Sequence, residues 1–247
     1  MITRRRSALL ALPVLAAALL SAGCAAQTPA SNPTSSASPA ASDSQAPSDS
    51  LPDERTANDV EAAWIDGGRG VAIVTWGSST CVPFVEAVDA EGQTITVELV
   101  DDDATACTDD LVPRASSVGL PAGVDPSKDV EVKVTYGEVT GDADLDALTD
   151  PVDPDSETDY LPSAGWFDDQ GIVLLTWGSS TCPPQLEKID QSATTATATF
   201  FTTDQVCTMD MAPQLTILGL PNAHEGDEPL QLVLTGGGLD ATVTVLG

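Results

Sequence analysis

The stretch 70–83, GVAIVTWGSSTCVP, returns at 171–184 as GIVLLTWGSSTCPP. Six consecutive residues, Trp76–Cys81 and Trp177–Cys182, are the same in both. Each copy is followed about 25 residues later by a second shared pattern, ACTDDLVPRASSVGLP from Ala106 and VCTMDMAPQLTILGLP from Val206. An upstream tryptophan also recurs, Trp64 in AAWIDGGRG and Trp166 in AGWFDDQG. Matching motifs in the same order at nearly the same spacing mark a duplicated unit. They predict two homologous domains, 58–142 and 161–247, separated by an acidic, proline-containing linker over 143–160.

Within each copy the apolar residues alternate or run in short β-branched stretches. VAIVTW, TITVELV and VEVKVTY do so in the first, and IVLLTW, TATATFF, LQLVLT and ATVTVL in the second. Such residues suit a pleated, half-buried surface, and turn-forming clusters bound the runs. No window offers a long amphipathic helix. The pattern predicts an all-β fold of two tandem, disulfide-bonded β-sandwich repeats of immunoglobulin-like architecture, with a small barrel as the alternative. Four cysteines follow Cys24, and four allow three pairings. The repeat selects Cys81 with Cys107 and Cys182 with Cys207. Each bridge closes a loop of about 25 residues and contributes roughly 3–4 kcal/mol in the chain-entropy model.

The repeated hexapeptide then reads as a corner. A strand ends at Trp76 or Trp177, glycine permits a turn, and Ser-Ser-Thr hydroxyls can bond neighbouring backbone amides. Val-Pro or Pro-Pro after the cysteine starts an extended segment. Asp110 and Asp210, three residues after the second cysteine of each copy, are placed to accept hydrogen bonds from the turn. Pro113 and Pro213 restart a strand. The competing reading is a ligand loop presenting Trp76, Trp177, the serines, Asp110 and Asp210.

Reactive chemistry is poorly provided for. A serine or cysteine nucleophile needs a positioned base. The chain has one histidine, His224, in a turn whose counterpart in the first copy has none; it reads as a solvated loop residue. GSSTC lacks the spacing of a nucleophile elbow, and bridged cysteines offer no thiolate. Zinc wants about four Cys or His ligands, which neither copy supplies. Met209 and Met211 flank Asp210 beside Cys207, but the first copy has Asp109 and Leu111 there, so packing is preferred to copper. Asp142, Asp144 and Asp146 alternate as in a calcium loop, yet the sixth and twelfth places hold Ala147 and Asp153. The expectation is no enzyme, no cofactor and no resident metal.

The N-terminus, MITRRRSALLALPVLAAALLSAGC, has three arginines and then a short apolar run ending in small residues. This is the layout of a cleaved export signal. LLSAGC resembles the lipobox of bacterial lipoproteins, with Ser21 where that motif usually has leucine. The resemblance implies a signal peptide over 1–23 and a lipid-modified Cys24 as the mature first residue. Residues 24–57 are rich in Ala, Ser, Pro and Asp and too poor in large apolar residues to offset ordering entropy. They read as a disordered tether. The whole chain carries a net charge of −29; without the three signal arginines, six basic residues face 38 acidic ones, a charge of −32. Nucleic acid is excluded on that ground, since phosphate binding needs clustered Lys and Arg.

The paired pattern G-S-S-[ST]-C-x-P and C-T-x-D-x-x-P, behind a lipobox and a low-complexity tether, resembles uncharacterised exported lipoproteins of high-GC Gram-positive bacteria. That resemblance implies a disulfide-bonded β fold anchored on the outer face of the cell membrane, and implies no reaction. The expected role is a binding or interaction module of the envelope, its partner an envelope protein, a glycan or a small ligand. The alternative is a structural or surface-shielding lipoprotein.

Overall fold

A computed structural model describes residues 55–102, 106–224 and 228–247; the signal, Cys24 and nearly all of the tether lie outside them. The described chain is all-β, without an α-helix, and carries two disulfides. The first repeat forms β1 (Val60–Ile65), β2 (Gly70–Gly77), β3 (Phe84–Glu91), β4 (Thr94–Val100), β5 (Val112–Gly119), β6 (Val130–Tyr136) and β7 (Val139–Leu145). The second forms β8 (Ser163–Trp166), β9 (Gly171–Gly178), β10 (Leu186–Gln191), β11 (Thr195–Phe200), β12 (Ala212–Gly219), β13 (Gln231–Gly236) and β14 (Leu239–Leu246). The order repeats strand for strand: β1-β2-β5 and β3-β4-β6-β7 in one half, β8-β9-β12 and β10-β11-β13-β14 in the other. In the second half a short parallel pairing, Val245 with Ala164 and Leu246 with Gly165, joins the two sheets into one of seven strands.

The immunoglobulin expectation needs correcting. In each half the chain leaves one sheet, crosses as β5 or β12, and returns as a parallel neighbour of the strand it left, β4 beside β6 and β11 beside β13. Immunoglobulin sheets are antiparallel, and their disulfide joins strands across the core. Here each bridge ties together two loops beyond the strand ends, Cys81 past β2 and Cys107 between β4 and β5.

Three cores explain the strand patterns. Val60, Ala62, Trp64, Val71 and Ile73 pack inward on Ile95, Val97, Leu99, Val132 and Val134, filling the first half. Ile172 and Leu174 do the same with Ala196, Ala198, Phe200, Leu232 and Leu234 in the second. The third core lies between the halves. Ala63, Ile65, Ala72, Val74 and Trp76 on β1 and β2 meet Phe167, Val173 and Leu175 of the second repeat. The molecule is thus a stack of sheets in which β2 and β9 are covered on both faces. A strand buried on both faces reads as a continuous apolar run, as VAIV and IVLL do. Strands with one wet face alternate: in β11 Ala196, Ala198 and Phe200 point in while the threonines between them are partly exposed.

The halves touch backbone to backbone where β1 crosses β8. A Cβ on Gly165 would overlap the Trp64 carbonyl, so only glycine fits. The segment read as a linker is also part of the fold. β7 runs to Leu145, and Leu148 is buried in the first core. Leu148 N–H donates to the Pro126 carbonyl, Val152 N–H to Gly67, and the Trp64 indole N–H to the Asp146 carbonyl at 2.8 Å. Its few apolar residues pin this acidic stretch. The backbone of Asp66 accepts the Arg69 side chain, and Arg69 also reaches the Glu157 carbonyl at 2.9 Å.

Candidate functional site at the two cysteine corners

The two corners share most of their hydrogen bonds. In the first, Cys81 N–H closes a turn on the Ser78 carbonyl. Thr108, next to the partner cysteine, gives its N–H to the Ser78 hydroxyl at 2.9 Å and to the Thr80 hydroxyl at 3.1 Å. The Thr108 hydroxyl donates to Asp110, whose carboxylate also takes the Ser79 N–H at 3.1 Å. In the second, Thr208 N–H reaches the Thr181 hydroxyl at 3.1 Å, and its hydroxyl donates to Asp210. Ser180 N–H donates to Asp210 at 3.2 Å. Because each threonine proton is committed to the carboxylate, Ser78 and Ser179 turn their own protons toward that threonine, 2.8 and 2.7 Å away. The carboxylates stay ionised well into acid. The Thr208 hydroxyl, and then Ser180, hold Asp210 down at about 2. Thr108, and then Ser79, lower Asp110 in the same way.

The disulfides pair Cys81 with Cys107 and Cys182 with Cys207. Asp110 and Asp210 are exposed and spent on the turn. Trp76 is buried in the core between the halves, its ring 6.3 Å from that of Phe167, with the Arg55 guanidinium 5.0 Å from its centre. Trp177 packs on the same core and meets Tyr160 edge-on at 5.1 Å. Met209 and Met211 are both exposed. Asp142 and Asp144 sit on the solvent side of β7, followed by exposed Asp146. Among the described residues no group of three His, Cys, Asp or Glu could hold a metal ion. His224 departs from the expected solvated residue. It is half-buried, stacked on Trp166 with ring centres 5.3 Å apart, and its Nε2 lies 2.8 Å from the Glu228 carbonyl.

The halves differ in what fills the space behind the corner. In the first, Arg114 on β5 is buried and lies across Gly77. It donates to the Cys81 carbonyl at 2.6 Å and approaches the Thr75 hydroxyl and the Tyr136 oxygen, both at 3.5 Å. Its guanidinium carbon is 5.6 Å from the Tyr136 ring centre, and Tyr136 donates to Asp101 at 2.5 Å. Burial, reinforced by Asp101, raises the Tyr136 phenol above its ordinary value.

In the second half the strand register aligns Gln214 with Arg114 and Gly236 with Tyr136. The shorter Gln214 turns to the Ser179 carbonyl. A Cβ on Gly77 would lie 2.7 Å from the Arg114 guanidinium carbon, whereas one on Gly178 would meet nothing within 4 Å. What remains is an open cavity of about 450 Å³ lined by Thr176, Trp177, Gly178, Phe201, Gln214 and Gly237, among others. Thr176 lines it, and its hydroxyl is buried without a hydrogen-bond partner; Trp177, the next residue of β9, turns its ring to the opposite face, into the core between the halves, where its indole nitrogen is also unpaired. One deciding position lies in the second motif, where VPRASS of one copy stands against APQLTI of the other, and the second lies at the end of β6 and β13. A lone arginine inside a strand of a strongly acidic chain was the signal.

No family profile, curated protein or solved structure matches this chain.

Proposed function

We propose that the chain is a lipid-anchored, extracytoplasmic binding module of the cell envelope, made of two tandem disulfide-bonded β-sandwich units, with its ligand site in the second. The two disulfides are consistent with an oxidising compartment, and among the described residues no helix is long and apolar enough to cross a membrane. The export signal and the lipobox-like LLSAGC support anchoring through Cys24. The observation that carries the binding role is the contrast between the corners. One is filled by its own Arg114 and Tyr136. The other is open, and the buried Thr176 hydroxyl that faces it has no partner, whereas its counterpart Thr75 lies within reach of Arg114; Arg114 leaves only its own Nε unpaired. Leaving a buried polar group unpaired costs about 1–3 kcal/mol, which a ligand that pairs it recovers.

Two experiments test this reading. Cys24→Ala should release the protein from the membrane fraction into the medium; retention of the variant on the membrane refutes lipid anchoring. A photo-crosslinking residue at Gln185, on the rim of the open cavity, should give a discrete adduct in intact cells. The same probe at Phe84, its counterpart in the first half, should give none. Equal labelling at both sites, or none at either, favours a purely structural protein.

A further inference from the structure

The first repeat shows what the open cavity is shaped to hold. In it a guanidinium lies flat against a glycine, under a cysteine carbonyl and beside a threonine hydroxyl. The second repeat keeps the glycine, cysteine and threonine as Gly178, Cys182 and Thr176, and all three line the cavity. Its own side chain at that place, Gln214, is too short and is engaged elsewhere. Building on the binding role, we propose that this cavity receives an arginine side chain from a partner protein, which takes the place Arg114 fills in the first repeat.

The contrast between the two corners bears on that choice. The space against Gly178 is empty where the space against Gly77 is full. The Thr176 hydroxyl, only 2% exposed, lacks a partner, whereas its counterpart Thr75 lies within reach of Arg114. A guanidinium offers five donors in a planar fork and is weakly hydrated, so it enters partly apolar, aromatic-walled sites that a lysine ammonium does not. The cavity lining carries no charged side chain, which does not count against a cation, because the contacts of Arg114 are themselves a carbonyl, a hydroxyl and a phenol. Attraction comes instead from the chain's net charge of −29, which concentrates cationic segments around it. The first repeat fills the equivalent place with an arginine that belongs to a polypeptide, and the occupant is read in the same form, an arginine side chain on a peptide rather than a free guanidine.

The test is a titration of the full chain in detergent micelles with N-acetylarginine methylamide. The capped lysine analogue, methylguanidine and a neutral N-acetylglucosamine disaccharide serve as comparison probes. The readout is the backbone amide resonance of Gly178 and the side-chain amide of Gln214, both at the cavity. The expected result is saturable binding of capped arginine, at least about tenfold tighter than capped lysine or methylguanidine. Gly178→Ala, which meets no neighbour, should abolish that binding with an unchanged thermal midpoint. Gln214→Arg should abolish it by refilling the space, and Thr176→Val should weaken it severalfold. Binding of capped arginine that survives both Gly178→Ala and Gln214→Arg overturns the proposal. So does equal affinity for lysine, or a preference for the disaccharide. The Gln185 crosslink separates the two levels. If it persists while capped arginine fails, the module still binds and only the guanidinium is wrong. If both fail, the binding role falls as well.

Discussion

Truncating Leu175 to alanine should destabilise the whole chain about as much as truncating its neighbour Leu174, although the two side chains point in opposite directions. Leu174 is fully buried in the core of the second half, and Leu175, 2% exposed, is buried in the core between the halves. Leucine to alanine removes three carbons. At about 0.8 kcal/mol per buried CH₂ the transfer loss is roughly 2.4 kcal/mol. An unrelaxed cavity raises the total to about 2.7–5 kcal/mol. For a chain of this size that lowers the melting midpoint by roughly 5–20 °C. The assay is urea unfolding of both variants, together with amide exchange in β2 of the first half. If the central core couples the halves, Leu175→Ala shows one transition and lowers protection in β2 as well as in β9. Were the repeats independent domains on a linker, Leu175 would face solvent or a loose contact. Its truncation would then cost under about 0.5 kcal/mol, as surface substitutions do, and β2 would be unaffected. That outcome would refute the layered reading.

Replacing Cys182 and Cys207 together by serine should cost roughly 3–3.5 kcal/mol, the chain-entropy value for a loop of 25 residues; urea midpoints with an unchanged m-value check it. Arg114→Gln should recreate in the first half the opening of the second, at about 1–3 kcal/mol for the buried groups left unpaired. It should also push the Tyr136 phenol higher still, since the guanidinium now holds it down, which absorbance titration at alkaline pH reads directly. Asp210→Asn should flatten the acid limb of the stability curve. The folded carboxylate sits at about 2, below its unfolded value near 3.9. Its contribution is therefore present above about pH 4 and lost as pH falls through 2; an unaltered slope across that window removes Asp210 from the account. Gly68→Ala should be destabilising, because this residue has φ of +95° and a Cβ there would press on Leu148 at 2.9 Å; thermal melts compare it with the wild type.

The repeat, the strand content and the cysteine pairs were legible because each leaves a local mark: a duplicated motif, β-branched runs, two cysteines per copy. The central core left a mark that was harder to read. VAIV and IVLL run apolar without alternation, which is what burial on both faces produces, yet the same runs also occur in an isolated sheet buried on one side with a hydrophobic rim. The linker was misleading for a related reason. Its composition is acidic and proline-containing, but Leu148 and Val152 anchor it through two backbone bonds, and two residues in an acidic stretch do not alter a compositional average. The cavity was invisible in the motif itself, since WGSSTC is the same in both halves. What distinguishes the halves sits at Arg114 against Gln214 and Tyr136 against Gly236. These pairs are far apart in sequence and meet only because β4 and β6, like β11 and β13, run parallel after a crossover through the neighbouring sheet.

The identity of the two hexapeptides and the divergence behind them have one physical source. Within the corner each side chain satisfies a backbone or hydroxyl partner that has no substitute: Ser78 and Ser179, Thr80 and Thr181, Thr108 and Thr208, Asp110 and Asp210 form one chain of donors and acceptors in each half. Changing one member strands its neighbour, so the cost of change exceeds that of a single bond. The space behind the corner is not constrained in this way. Arg114 and Tyr136 fill it as a pair, the guanidinium leaning on the ring, and losing both takes a donor from the Cys81 carbonyl but from none of the serine, threonine and aspartate side chains of the corner. In the second half the Thr176 hydroxyl registers the loss, because it faces the vacated volume without a partner. A duplicated unit can therefore keep its staple intact in both copies and give up a self-filled cavity in one. The copy that has done so is the one whose buried Thr176 hydroxyl lacks the cation that Thr75 has within reach.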